Sequence, residues 1–166
     1  MKILGIDPGS TRIGYGIIED ATATAGQAGG LKLLDYGVLE IKEKNLPDRL
    51  NALSLLFDAL LKKHRPDMAG IEKIFFAKNT KTAIDVSHSR GVLLAGMREN
   101  QIPILEFTPN EVKLAVSGYG LSDKKAVAKM VMRILNLKEL KGYDDASDAI
   151  AVALTTAFNK KLAGLA

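Results

Sequence analysis

The chain has no cysteine and only two histidines in 166 residues. Without thiols, disulfides and thiolate metal centres are excluded. With so little histidine a zinc centre has few ligands to draw on. Any cation would be held by oxygen, which favours Mg²⁺ or Mn²⁺. No apolar run approaches the ~20 residues of a membrane span, and no basic segment followed by a cleavage site opens the chain. These absences lead to the expectation of a cytoplasmic protein. What remains is ordinary globular composition, 47% hydrophobic and 25% charged, in a length suited to one domain over residues 1–166. A net charge of +4 leans toward a polyanionic partner.

Lys2 to Asp7 predicts a short strand in which Ile3, Leu4 and Ile6 are buried on both faces. It ends in a carboxylate and a Pro8-Gly9 turn. Strands follow over 12–19 and Leu31–Lys42, with the small-residue stretch 20–30 as a hairpin loop or a flexible excursion between them. Leucines at helical spacing predict a helix over Pro47–His64, stopped by Arg65-Pro66. Met68–Glu72 arrives after a helix and is expected to lie parallel to the first strand. A long helix over Lys78–Asn100 contains Gly91 and Gly96, and a strand over Ile102–Phe107 follows it. Thr108-Pro109-Asn110-Glu111 has the form of a capping box. Ser122 is expected to cap the next helix, and a last helix runs from about Asp145 to Leu162. The fold class is therefore α/β: a five-stranded mixed sheet, three antiparallel strands and then two parallel ones, flanked by helices.

The carboxylates stand out once they are taken together. Asp7 and Glu72 each end a strand, and parallel neighbours would bring both to one sheet edge. Asp144-Asp145-Ala-Ser-Asp148 opens an apolar helix. Residues three or four apart share a face, so Asp148 pairs with either Asp145 or Asp144. Each group alone has a plain explanation: a turn at Asp7, a strand-end charge at Glu72, dipole-favoured acids in a first helical turn. Three converging segments of acid repel one another unless a cation sits between them, which favours a Mg²⁺ site.

Ile3-Leu-Gly-Ile-Asp-Pro-Gly-Ser10, Ile71-Glu-Lys-Ile-Phe-Phe-Ala-Lys-Asn79 and Asp145-Ala-Ser-Asp-Ala-Ile-Ala151 together resemble the RuvC-type Holliday-junction resolvases. The resemblance runs from the first strand to the last helix. It implies a ribonuclease H-like fold and a homodimer paired through the long helix. It implies paired nicks in four-way DNA junctions, with Mg²⁺ or Mn²⁺ and 5′-phosphate products. It also implies work beside a branch-migration complex of the RuvA–RuvB type. The family's acids fall on Asp7, Glu72, Asp145 and Asp148, and the choice of Asp145 over Asp144 rests on that resemblance. Two metals would activate water and stabilise the leaving 3′-oxygen, bridged by Asp7.

Other residues acquire roles by the same resemblance. Phe75 matches an aromatic that stacks on a base near the junction centre, whereas Phe76 reads as a core plug. Lys113 and Lys124 would lie near the scissile phosphate. Lys124 and Lys125 in a first helical turn oppose the helix dipole, a sign that a bound phosphate would reverse. Lys125 is equally well read as solvated. Lys78, with Lys73, Lys81 and Arg90, could extend a phosphate-tracking patch. His64 is expected to be solvated and His88 to pack on the long helix. Rival readings are another ribonuclease H-like nuclease acting on RNA or other branched DNA, an ATP-binding domain of the actin and sugar-kinase type, and a non-catalytic DNA-binding homologue. The chain is short for the second, and the full acidic set speaks against the third.

Overall fold

The computed structural model describes residues 1–21, 30–74, 80–140 and 144–164. Strands β1 (Lys2–Asp7), β2 (Arg12–Asp20) and β3 (Leu31–Glu40) form an antiparallel meander. Helix α1 (Leu46–His64) returns the chain to β4 (Met68–Glu72), and α2 (Thr80–Glu99) leads to β5 (Ile104–Phe107). Helices α3 (Pro109–Ser117), α4 (Lys124–Ile134) and α5 (Asp144–Phe158) complete the order, followed by a 3₁₀ turn. The sheet runs β3-β2-β1-β4-β5, with β4 parallel to both β1 and β5. This is the expected mixed sheet.

The central position of β1 follows from its sequence. Ile3, Leu4 and Ile6 are all fully buried. Ile3 joins the core beneath α3, α4 and α5, whereas Leu4 and Ile6 join the core beneath α1 and α2. The α5 face is organised by glycine. Gly16, Gly5 and Gly70 are register partners across β2, β1 and β4. A Cβ on Gly5 would collide with the backbone of Ala149 and Ala153, and one on Gly70 with the Thr156 hydroxyl. The helix thus lies on bare backbone, and every residue from Ala149 to Ala157 is buried.

Caps set most of the helix boundaries. Thr108 and Glu111 form the expected capping box on α3, which closes at a left-handed Gly118. Arg65, at φ 49°, ends α1 before Pro66. Four expectations shift. Asp123, not Ser122, caps α4, accepting from Ala126 N at 2.7 Å, while Ser122 Oγ accepts from Ser117 Oγ at 2.7 Å. Strand β5 begins at Ile104 because Gln101 turns left-handed after α2 and Pro103 has no N–H to donate. His64 is not solvated: its side chain is 11% exposed and its Nε2 lies 2.9 Å from Asp35. His88 lies on α2 but is exposed. The two glycines of α2 also differ. A Cβ on Gly96 would meet the Phe57 ring of α1 at 3.1 Å, whereas one on Gly91 would meet nothing within 4 Å.

Candidate active site

The parallel register of β1 and β4 pairs Ile6 with Ile71. The next residue on each strand is the acid, so Asp7 and Glu72 emerge side by side at the carboxyl end of the sheet. Buried Ile6 and Ile71 anchor them on rigid elements. The first turns of α5 close the site from above. Asp145 is brought in because its carbonyl rests on Gly14, and Gly14 is the register partner of Asp7. One turn on, Asp148 faces the same cleft.

That cleft has a volume of about 300 Å³. Asp7, Glu72, Asp148, Lys113 and Lys124 line it with polar groups, and Pro109, Val112, Val127 and Ala151 give it an apolar wall. Lys124 Nζ donates to Asp148 Oδ2 at 2.7 Å, which raises the Lys124 pKa above its ordinary value. Burial, reinforced by Asp148 and Asp145, pushes Asp7 up to about 7, and Lys124 only partly offsets this. Burial, followed by the charges of Asp7 and Asp148, lifts Glu72 to about 7. Protons therefore compete for a site whose acids cannot all ionise cheaply at neutral pH.

This donor set fits a hard divalent cation. It consists of carboxylate oxygens only, held partly out of water and mutually repulsive, which a 2+ charge would reverse. Among the described residues, no three acids already stand close enough to cage an ion outright. Two of these carboxylates carry basic partners: Lys124 Nζ donates to Asp148, and Arg12 Nε donates to Asp145 Oδ2 at 3.1 Å.

The candidate residues thus fall into three groups. Asp7, Glu72, Asp148, Lys113 and Lys124 meet in one cleft. Asp145 lies at its margin, tied to Arg12. Asp144 and the exposed Lys125 border a neighbouring recess with Lys124 and Asp148. Phe75, Phe76 and Lys78 lie outside the described residues, and so does the Lys81 side chain. Arg90, named with the phosphate-tracking patch, is held against the ends of β4 and β5. Its Nε donates to the Glu72 carbonyl at 3.3 Å and its guanidinium pairs with Glu106. It fixes the end of β4 and thereby the root of Glu72. Nothing in the sequence pairs Arg90 with Glu72, because the contact depends on how α2 crosses the sheet. Nor does the sequence pair Arg12 with Asp145, because that contact depends on how α5 seats on β2.

A mixed sheet in this strand order, with helices on both faces and acids at its carboxyl edge, is the ribonuclease H-like fold of a metal-dependent nuclease. The family model described as crossover junction endodeoxyribonuclease RuvC matches residues 3–156, and the chain belongs to that family. The crossover junction endodeoxyribonuclease RuvC of Syntrophomonas wolfei is 43% identical over 155 residues, 93% of this chain and 87% of that protein. Its counterpart from Thermosipho melanesiensis is 44% identical over 92% of this chain and 94% of that protein. Among solved structures, Thermus thermophilus RuvC superposes with a TM-score of 0.86 at 31% identity, covering 98% of this chain and 96% of that one. The same protein in complex with a Holliday junction substrate gives 0.83 at 29% identity, with the same coverage.

Proposed function

We propose that the chain resolves four-way DNA junctions by hydrolysing one phosphodiester in each of two symmetry-related strands. The observation that carries this reading is the pairing of Asp7 with Glu72 beneath Asp148, in a cleft that also holds Lys113 and Lys124. Carboxylates alone would repel a DNA backbone. Two lysines in the same cleft supply the counter-charge that admits a phosphate.

The metal ligands are Asp7, Glu72, Asp145 and Asp148, and the cation is Mg²⁺ at two sites, replaceable by Mn²⁺. When bound, such a pair supplies an activated water and neutralises the leaving 3′-oxygen, so the product keeps its 5′-phosphate. The remaining work belongs to the side chains. Asp7 is held by β1 on the sheet floor, where it faces both Asp148 and Glu72. Lys113 and Lys124 hold the scissile phosphate and offset charge that grows on its oxygens in the transition state. Lys124 would exchange its carboxylate partner for phosphate as the substrate enters. The apolar wall of Val112 and Val127 limits water around the reacting group. Lys125 lies on the rim and tracks the backbone. Phe75 stacking on a splayed base and Lys78 on a phosphate rest on family resemblance.

The functional unit is a homodimer, because a two-fold junction presents two equivalent strands to two sites. Gly91 supports pairing through α2: its bare Cα faces open space, so a second helix can approach there. By resemblance to the family, the chain would also work beside a branch-migration complex of the RuvA–RuvB type.

The test incubates the protein with a synthetic four-way junction and with linear duplex, each with Mg²⁺ and with chelator. Paired nicks confined to the junction and dependent on Mg²⁺ are expected. Asp7→Asn should bind the junction without cutting it. Equal cutting of linear duplex, or cutting by the variant, rejects the proposal.

A further inference from the structure

We infer that Arg12 is a positioning residue that orients Asp145 for the metal, an inference that rests on the proposed ligand set. Arg12 opens β2, and Asp145 lies in the first turn of α5. The two are 133 residues apart in sequence, yet Arg12 Nε donates to Asp145 Oδ2 at 3.1 Å. The other branch of the guanidinium reaches back to β3, where Nη1 lies 3.4 Å from Glu40 Oε1. Arg12 and Glu40 are register partners across β2 and β3, so the guanidinium is braced from the sheet side. The backbone supplies the other half of the arrangement. The Asp145 carbonyl sits on Gly14, two residues beyond Arg12 on the same strand. Both ends of Asp145, backbone and carboxylate, are therefore referenced to β2, the strand that also flanks Asp7.

Of the four proposed ligands, Asp145 most needs such help. Asp7 and Glu72 grow from strand ends beneath buried isoleucines, and Asp148 lines the cleft one turn inside α5. Asp145 stands closer to the helix terminus, in the first turn of α5. An arginine that grips one oxygen sets the carboxylate plane, so that a cation recruits an oriented ligand. Outer partners of metal-bound carboxylates act this way, and losing one typically weakens binding by roughly 10–100-fold. A lysine in the same place keeps the charge but not the forked geometry.

The test titrates Mn²⁺ into the full-length protein and follows the free-ion signal by electron paramagnetic resonance, with no DNA present. Arg12→Ala is expected to bind Mn²⁺ roughly tenfold or more weakly than the wild type. Arg12→Lys should recover part of that loss, and saturating Mn²⁺ should restore junction cleavage in both. Melting curves in chelator report whether each variant folds. Should Arg12→Ala fail to fold, Arg12→Lys and Glu40→Gln carry the comparison. Unchanged affinity in the folded variants overturns the inference. So does tighter binding, which would make Arg12 a competitor of the metal. Asp145→Asn separates the two levels: if it leaves Mn²⁺ binding at the wild-type value, Asp145 is not a ligand and the inference falls with that assignment.

Discussion

Replacing Asp7 by Asn should make the metal-free protein more stable, and it should also abolish junction cleavage. Asp7 is held up at about 7, against 3.8 for an unperturbed aspartate, first by burial and then by Asp148 and Asp145. A raised carboxylate pKa means that the folded state binds the proton more tightly than the unfolded state. Stability therefore falls as pH rises from near 4 to about 7, and stays low above that. Three pKa units correspond to about 4 kcal/mol, an upper limit because the side chain retains some contact with water. About 2–3 kcal/mol is a fair expectation, or roughly 4–12 °C in Tm for a chain of this length. Asn keeps the shape and removes the charge. Its advantage should be near zero at pH 4 and full at pH 8.

The assay is thermal melting of both proteins in chelator across that range, repeated in Mg²⁺. The wild type should recover with Mg²⁺, by about 2.7 kcal/mol at one hundred times Kd, and the variant should respond little. The gap between them then narrows or reverses, while junction cleavage is seen only in the wild type. If Asp7→Asn in chelator at pH 8 melts below the wild type, or if the gap does not change with pH, the crowded-acid description of the site is wrong.

Four further outcomes follow from other parts of the molecule. Gly5→Ala should cost at least ~2 kcal/mol in urea unfolding, because the added methyl meets the α5 backbone rather than a movable side chain. Gly91→Ala should stabilise the protomer by about 1 kcal/mol through helix propensity, yet weaken self-association measured by analytical ultracentrifugation. Thr108→Ala should cost about 1 kcal/mol by removing the α3 cap. The Thr108 backbone and hydroxyl hold the Glu111 pKa below its ordinary value, so the hydroxyl–carboxylate bond adds stability above pH 4.5 that is lost as pH falls through the lowered pKa, whereas the bond from Glu111 N–H to the hydroxyl does not titrate. Lys124→Gln should reduce single-turnover cleavage by roughly 10²–10³-fold, while Mn²⁺ still binds.

The acids were legible because each ends or begins a recognisable element. Asp7 and Glu72 close apolar strands and Asp148 lies in the first turns of an apolar helix, so topology carries these three to one edge, whereas the choice of Asp145 over Asp144 rests on family resemblance. The capping box at Thr108 was legible for a similar reason: its partners are three residues apart. What the sequence did not disclose are contacts between distant segments. Ser122 and Asp123 are both competent caps one residue apart, and choosing between them depends on Ser117, which engages Ser122. His64 reads as a polar helix end until β3 places Asp35 against it. Arg12 and Arg90 read as basic surface until α5 and the end of β4 come within their reach.

The glycines connect these two kinds of information. Gly5, Gly16 and Gly70 read separately as weak points in three strands, since glycine lowers strand propensity and has no side chain to pack. Their shared register makes them one surface, and α5 is the element that fills it. The fit constrains the chemistry. A helix seated on Cβ atoms would stand farther from the sheet and would lift Asp148 away from Asp7. Seated on bare backbone, it delivers Asp148 into the cleft at a height fixed by main-chain contact, which side-chain rotamers cannot alter. The burial that raises Asp7 and Glu72, and the repulsion that adds to it, are thus imposed by the fold. The buried residues of α5, from Ala149 to Ala157, supply the apolar stabilisation that holds these carboxylates together. Core packing and the proposed cation affinity would in this sense be a single property of the sheet–helix contact: the free energy that seats α5 also keeps the acids close together.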